Sequence, residues 1–120
     1  WKTPSDMPKV TVYEADLMAA VLNIIDNAVH WLAISSTKPR VLRIEAISSK
    51  KWVRIRLSNN GPLIDPLFQK NLFNPGFTLK PEGSGLGLAI AREAMKASKG
   101  NVVFDEEADE TTFVVSMQRA

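Results

Sequence analysis

The stretch from Glu82 to Leu88 reads EGSGLGL, so a glycine stands at every second position directly before a segment with helical periodicity. Each glycine costs about 0.5 to 1 kcal/mol relative to alanine in regular structure, and three together predict that another group approaches this backbone closely. A phosphate is one such group, because a helix N-terminus offers unpaired N–H groups and the positive end of the helix dipole. The stretch is neither a P-loop nor a dinucleotide fingerprint, because no Lys-Ser/Thr pair follows it and no strand leads directly into it.

The hydrophobic pattern of the rest of the chain predicts one α/β domain. Strand-like alternation marks five segments, at residues 9–13, 42–46, 53–57, 102–104 and 112–117. Helical periodicity marks three segments, at residues 16–33, 66–72 and 86–98. We therefore expect residues 9–120 to form an α/β (α+β) fold, a two-layer sandwich with a mixed sheet and helices on one face. Residues 1–8 contain two prolines and no periodicity, and they are predicted to be a linker or tail.

Composition limits the classes of protein to which this chain can belong. Its 120 residues, of which 45% are hydrophobic, suffice for one core and not for two domains. A net charge of +2 with scattered basic residues predicts no nucleic-acid partner, and the absence of cysteine excludes disulfides. We see no signal sequence and no apolar run approaching about 18 residues, so we expect a soluble cytoplasmic domain without membrane contact. The chain does not begin with Met, so we interpret it as a fragment whose parent could be anchored in the inner membrane.

The first predicted helix carries an unusual polar stripe. On a helical wheel its apolar residues form one broad arc, whereas Asn23, Asn27 and His30 fall together on the opposite side. A solvated face more often carries Lys, Glu and Arg, which are better helix formers than Asn. A functional site explains this inconsistency, but a chance pair on a solvated face explains it equally well. The pattern predicts no zinc-type site, whereas the amide oxygen of Asn27 together with substrate phosphates suits Mg²⁺.

Strand parity singles out Asn59 as a further candidate. Val53, Ile55 and Leu57 share one face of the predicted strand, and Asn59 follows them on that face. A buried amide needs hydrogen-bond partners, and its acceptor and donors complement the edge of adenine. The segment NNGP at residues 59–62 is also typical of an ordinary turn, and taken alone it favours the turn.

Four segments together resemble the motifs of the ATP-binding domain of sensor histidine kinases. The wider superfamily also holds type II topoisomerases, a heat-shock chaperone and a mismatch-repair ATPase. VLNIIDNAV resembles the family's asparagine box, and SNNGPLI resembles its first glycine box. LFNPGFTLK resembles the phenylalanine box, and GSGLGLAI resembles the second glycine box. The resemblance extends from about Val10 to Met117, and the order and spacing of all four motifs agree with the family.

The resemblance implies ATP and Mg²⁺ as cofactors and gives a role to individual residues. It implies that Asn27 binds Mg²⁺, that Asn23 is a neighbouring polar contact and that His30 lies near the phosphates. It places Asn59 at the position of the family's adenine-reading aspartate. The remaining implied contacts are Gly61, Phe73, Phe77, Lys80, Gly83, Ser84, Gly85, Leu86 and Gly87. Within this set the two phenylalanines would brace the nucleotide lid, Lys80 would reach a phosphate, and the last three glycines would line the triphosphate.

The chain also departs from the family pattern. Asn59 replaces the aspartate, which keeps an acceptor for the adenine amino group but removes the charge. Leu63 replaces the second glycine of the first glycine box, and only the four residues 79–82 separate Thr78 from the second glycine box. These departures favour an alternative, in which the fold has lost nucleotide affinity and serves as a protein-interaction module.

Position 23 distinguishes between branches of the superfamily. In the pattern typical of the hydrolytic members and the serine-directed kinases, a Glu stands four residues before the magnesium-binding Asn. At that position the Glu can act as general base. Asn23 cannot accept a proton, so the resemblance favours a histidine kinase over an anti-sigma-factor-like serine kinase. No catalytic residue is then expected in this chain. The γ-phosphate would pass to a histidine on a separate dimerisation and phosphoacceptor domain of a homodimeric parent that acts on a response regulator, and the chain alone would not phosphorylate itself.

Overall fold

A five-stranded sheet forms one layer of the computed structural model, which describes residues 8–79, 83 and 85–120. The strands are β1 (Val10–Thr11), β2 (Leu42–Ser48), β3 (Trp52–Asn59), β4 (Asn101–Phe104) and β5 (Thr111–Arg119). Strand β5 is central, because it pairs with β3 on one side and with β1 and β4 on the other, while β2 lies beyond β3. The predicted site residues Lys80 and Ser84, and residues 1–7 of the predicted tail, lie outside the described part of the chain.

Every strand pair in the described ranges is antiparallel, which corrects the expectation of a mixed sheet. Strand β4 follows β3 through a long crossover and runs in the same direction as β3. Strand β5 then turns back and lies between them, so that Asn59 pairs with Thr111 and Phe104 pairs with Phe113. The parallel strands β3 and β4 are therefore not hydrogen-bonded neighbours. The order of elements along the chain does not determine this insertion.

Two long helices cover one face of the sheet, as the two-layer prediction requires. Helices α1 (Glu14–Ile34) and α3 (Gly87–Ala97) pack against each other, and both contact the sheet. A short helix, α2 (Pro66–Gln69), lies between β3 and α3 in the chain. The backbone N–H of Tyr13 donates to the Ser98 hydroxyl at 3.1 Å, which ties the start of α1 to the end of α3.

The hydrophobic core lies between the helices and the sheet. Its strand residues alternate in sequence, as a half-buried sheet requires. The buried core residues are Ala20, Ile24, Val53, Leu57, Leu72, Ala91, Met95, Val102, Phe113, Val115 and Met117. Asn59 continues the core-facing side of β3 and is only 3% exposed, so the predicted parity of this strand is confirmed.

Helix α1 is more apolar than expected from the sequence. An 18-residue window of its 21 residues has a mean hydropathy of 1.5, which is long and apolar enough to cross a membrane by length and composition alone. The expectation that no such run exists is therefore wrong, because apolar side chains occupy both the buried side of α1 and an exposed stripe of Met18, Leu22 and Val29. The core helix of a globular domain meets the same criterion, and α1 packs against α3 and the sheet, with 22% of this window buried.

Candidate functional site

A cleft of about 550 Å³ lies between one flank of α1 and the N-terminus of α3. The segment between β3 and α3 forms a further wall. The described lining residues are Asn23, Asp26, Asn27, His30, Trp31, Ile64, Leu72, Phe77, Thr78, Leu79, Gly83, Gly85, Leu86, Gly87, Leu88 and Ile90. A cavity of this size is typical of small-molecule sites in proteins.

The helical repeat brings the three polar residues of α1 to the cleft. Asn23, Asn27 and His30 are spaced by four and three residues, so their side chains share one flank of the helix. All three are half-buried and line the cleft. This flank adjoins the buried side of α1, so its three polar side chains are less exposed than a fully solvated face would be.

Asn23 packs against the first turn of α3. Its Nδ2 donates to the Ala19 carbonyl at 2.7 Å, which leaves its Oδ1 near Gly87. A Cβ atom at position 87 would lie 3.1 Å from this oxygen, closer than nine in ten real Cβ contacts. The missing side chain at Gly87 therefore allows α1 and α3 to approach each other at the cleft.

Gly85 joins the start of α3 to the preceding segment. Its φ of +74° lies in the left-handed region that favours glycine. A Cβ atom at this position would lie 2.4 Å from the carbonyl carbon of Gly76, whose N–H donates to the Gly85 carbonyl at 3.0 Å. The glycine repeat therefore accommodates contacts within the protein. The sequence predicts a close approach correctly, but it suggests only a phosphate as the approaching group.

The structure places two predicted contacts, Asn59 and Gly61, outside the described lining of the cleft. The Asn59 Oδ1 accepts a hydrogen bond from the Gly61 N–H at 3.0 Å. The neighbouring Asn60 side chain donates to the Pro39 carbonyl and accepts from the Val41 N–H, both at 2.8 Å. Both asparagines therefore shape the turn after β3, as the turn interpretation predicts. A carbonyl oxygen has two lone pairs, so the Asn59 Oδ1 retains the capacity to accept from a second donor.

The two phenylalanines of the third motif have different surroundings. Phe77 lines the cleft and packs against Phe68, with 6.1 Å between the ring centroids. Phe73 lies outside the described lining. The guanidinium carbon of Arg92 is 3.6 Å from the Phe73 ring centroid, and the Phe113 ring meets Phe73 edge-on at 6.2 Å. The geometry therefore brings only Phe77 of this pair to the cleft.

The set of predicted site residues does not include Asp26 and Trp31, although both line the cleft. A helical wheel of α1 is sufficient to indicate that both residues face the cleft. Asp26 follows Asn23 by three positions, and Trp31 follows Asn27 by four, so each shares the polar flank of α1. The Trp31 ring packs edge-on against the His30 ring with 4.8 Å between centroids. It supplies a large aromatic surface at the cleft.

The donor groups of the cleft suit a hard cation and a phosphate. Within residues 8–79, 83 and 85–120, no group of three His, Cys, Asp or Glu residues is placed to hold a metal ion. Asn27 and Asp26 bring side-chain oxygens to the lining, and Mg²⁺ prefers a few protein oxygens together with water and phosphate. Helix α3 has no side-chain cap at Leu86, and its first residues line the cleft. The positive end of the helix dipole therefore lies where an anion would bind.

A second cavity of about 470 Å³ lies beside the acidic turn between β4 and β5, and no predicted site residue in the described ranges lines it. Asp105, on this turn, accepts a hydrogen bond from Arg56 at 3.0 Å. This bond is the main cause that lowers the pKa of Asp105 from its usual value. Near the first cleft, burial lowers the pKa of Arg92, and the charge of Glu93 opposes that shift.

Residues 13–120 match the family described as histidine kinase-, DNA gyrase B-, and HSP90-like ATPase. The chain is 38% identical over 86 residues to the signal transduction histidine-protein kinase AtoS of Escherichia coli, which covers 72% of this chain and 14% of AtoS. It is 28% identical over 104 residues to the C4-dicarboxylate transport sensor protein DctB of Rhizobium meliloti, which covers 87% of this chain and 16% of DctB. The chain therefore spans less than a fifth of the length of these two relatives.

Solved structures of two histidine kinases are among those that share the fold. The nucleotide-free catalytic domain of histidine kinase ThkA has a TM-score of 0.75 at 21% identity, with 90% of this chain and 70% of that chain covered. The mycobacterial sensor histidine kinase MprB has a TM-score of 0.74 at 25% identity, with 92% and 76% covered. The similarity to ThkA confirms the predicted α+β arrangement of a sheet with helices on one face.

Proposed function

Because the chain belongs to the histidine kinase-, DNA gyrase B-, and HSP90-like ATPase family, as an ATP-binding domain of the histidine kinase type, we propose that it holds Mg·ATP in the cleft between α1 and α3. The γ-phosphate then passes to a histidine on a separate dimerisation and phosphoacceptor domain of a homodimeric parent, which serves a response regulator. One observation carries the proposal. The polar flank of α1 faces the glycine-rich N-terminus of α3 across a cavity of about 550 Å³.

The phosphate end of the nucleotide is assigned to the α3 side of the cleft. Gly83, Gly85 and Gly87 all line this wall, and none of them has a side chain that would enter the cleft. The positive end of the α3 dipole favours an anion at the same place. Lys80 and Ser84 remain predicted phosphate contacts on the basis of the family resemblance.

Mg²⁺ is assigned to the α1 side of the cleft, opposite the glycines. When bound, the ion would neutralise part of the charge of the phosphate oxygens. Asn27 is the proposed protein ligand, because it belongs to the half-buried polar flank that lines the cleft and its side chain carries an amide oxygen. The neighbouring carboxylate of Asp26 adds negative charge on the same flank, which favours a cation there. His30 is proposed to lie near the phosphates.

The base end of the nucleotide is assigned to Asn59 and the turn that follows it. The proposal is supported by the burial of Asn59 at the core-facing end of β3 and by the second lone pair of its Oδ1. The aromatic surface of Trp31 in the cleft wall provides a platform for a planar base. Phe73 is not proposed as a nucleotide contact, because its ring packs between Arg92 and Phe113.

The chain is proposed to bind ATP without performing the transfer alone. The residue four positions before Asn27 is Asn23, whose Nδ2 donates to a backbone carbonyl at 2.7 Å, and an amide cannot accept a proton as a general base. The only histidine, His30, lies in the cleft wall and is not proposed as a phosphoacceptor. A cytoplasmic location is proposed because that compartment supplies ATP and suits a chain without cysteine.

Titration with Mg·ADP tests the central proposal. Calorimetry is expected to show saturable binding, and a hundredfold excess over the dissociation constant should stabilise the fold by about 2.7 kcal/mol. Mg²⁺ alone serves as the control, because without phosphates the site offers too few ligands. Absence of both a heat signal and a thermal shift at millimolar Mg·ADP would reject nucleotide binding.

Asn59→Ala is expected to weaken ADP binding by about tenfold to a hundredfold. The substitution removes the proposed acceptor of the adenine amino group, which corresponds to roughly 1 to 3 kcal/mol for a buried hydrogen bond. Asn59→Asp should bind as well as the parent or better, because a carboxylate is a stronger acceptor and can still accept from Gly61. Arg54→Ala, exposed on the opposite face of β3, is the matched control. Equal ADP affinity of the parent and Asn59→Ala, or equal affinity of the parent for ADP and GDP, would remove Asn59 from base recognition.

One observation favours the alternative of a protein-interaction module. The Asn59 Oδ1 is already bonded to the Gly61 N–H, and Asn59 carries no charge that would compensate for the shared acceptor. The same titration separates the two functions, because the interaction module predicts no selective binding of ADP over GDP.

A further inference from the structure

Arg92 connects three parts of the chain next to the cleft. Its guanidinium carbon lies 3.6 Å from the Phe73 ring centroid, and its Nε donates to the Val102 carbonyl at 3.0 Å. The side chain therefore links α3 to the segment before that helix and to strand β4. Arg92 is half-buried, and a cation over an aromatic ring is attracted more strongly when water is partly excluded.

Phe73 is held from its other side by the sheet. The Phe113 ring meets it edge-on, with 6.2 Å between centroids and 82° between planes. Phe113 is 1% exposed and packs in turn against Phe104 at 5.4 Å. The Arg92 guanidinium covers a face of the same ring, so Phe73 lies between the sheet and a side chain of α3.

Phe73 is separated from residues of the cleft by only a few positions in the chain. The preceding residue, Leu72, is 6% exposed and lines the cleft. Three residues after Phe73, the Gly76 N–H donates to the Gly85 carbonyl at 3.0 Å. Arg92 itself belongs to the helix whose first turn contains Gly87. Arg92 thus joins two walls of the cleft, although it does not belong to the described lining itself.

We propose that Arg92 is a positioning residue for nucleotide binding. By holding Phe73 against α3, it sets the distance between two walls of the cleft: the segment wall, formed by the chain between β3 and α3, and the α3 wall, formed by the start of that helix. The inference rests on the proposed nucleotide site. A planar guanidinium can stack on a ring and donate from its edge at the same time, whereas the ammonium of lysine has no plane to stack. The role therefore requires the shape of arginine as well as its charge.

The test is calorimetric titration of Mg·ADP into the chain and into Arg92→Lys, Phe73→Leu and the double variant. Each single variant is expected to bind ADP about tenfold more weakly than the parent. The double variant should bind no more weakly than the single ones, because residues that act as one unit have non-additive effects. Arg92→Lys is the decisive variant, because it keeps the positive charge and much of the side-chain volume of Arg92.

Met117→Ala is the control for a general loss of stability. Met117 is a 2% exposed core residue of β5 that pairs with Val53, away from the Phe73 contact. Its truncation is expected to lower the midpoint of urea unfolding while leaving the ADP affinity within about twofold of the parent. A stability effect alone would therefore not imitate the expected result for Arg92→Lys.

Each outcome of the titration decides the proposal. Failure of the parent chain to bind Mg·ADP would reject the nucleotide site and the inference with it. Binding by the parent together with equal affinity of Arg92→Lys would reject the positioning role alone. Additive losses in the double variant, or a loss of ADP affinity in Met117→Ala as large as in Arg92→Lys, would also reject it. Unfolding of Arg92→Lys in the absence of nucleotide would assign Arg92 to global stability and overturn the proposal.

Discussion

Gly85→Ala is expected to weaken Mg·ADP binding by about a hundredfold or more. The left-handed φ of +74° strains any residue with a side chain, by about 1 to 3 kcal/mol. The new Cβ would also lie 2.4 Å from the Gly76 carbonyl carbon and 2.7 Å from the Phe77 carbonyl oxygen, so backbone must move. That movement separates the segment wall from the start of α3, where the phosphates are proposed to bind. Calorimetry measures the affinity, and urea unfolding measures the accompanying loss of stability.

Gly76→Ala is the matched control for this substitution. Gly76 also has a positive φ, of +87°, but a Cβ atom there meets nothing within 4 Å among the described residues. The control therefore introduces a comparable backbone strain without the steric clash. We expect a similar cost in stability from strain and a much smaller loss of ADP affinity. Equal losses of affinity in the two variants would show that the clash at Gly85 does not control the cleft.

Asn27→Ala is expected to reduce the Mg²⁺-dependent part of ADP affinity by about a hundredfold. Loss of a group that merely supports a metal ligand typically reduces metal affinity tenfold to a hundredfold, and loss of a ligand itself should reach or exceed the upper value. Replacing Mg²⁺ by a chelator should leave the parent and Asn27→Ala with the same weak ADP affinity. Val29→Ala, on the exposed apolar stripe of the same helix, should retain the full Mg²⁺ dependence. An unchanged Mg²⁺ dependence in Asn27→Ala would exclude Asn27 as the ligand.

Features set by local periodicity are predicted well from this sequence. The alternation of Val53, Ile55 and Leu57 places Asn59 on the core-facing side of β3, and the structure agrees. The spacing of Asn23 and Asn27 places both on one flank of α1, which lines the cleft. These inferences succeed because helix and strand geometry relate sequence distance directly to direction.

Features that depend on tertiary neighbours are not predicted. The contact between Arg92 and Phe73 joins residues from different elements, and no periodicity relates them. The insertion of β5 between β3 and β4 likewise depends on which strands meet after the crossover. The reason for a glycine at position 85 is predicted only in part. A glycine indicates that another group comes close to the backbone, but it does not identify that group.

The backbone hydrogen bond from Gly76 to Gly85 joins the two ends of the intervening loop. Because this bond holds the two ends of the loop together at 3.0 Å, added length that leaves Phe77 and Gly83 in the cleft wall costs the fold the entropy of closing a longer loop. That entropy changes with the logarithm of length, so doubling the loop destabilises the domain by only about 0.6 kcal/mol. A longer connection that keeps Phe77 and Gly83 is therefore expected to leave both walls of the cleft in place.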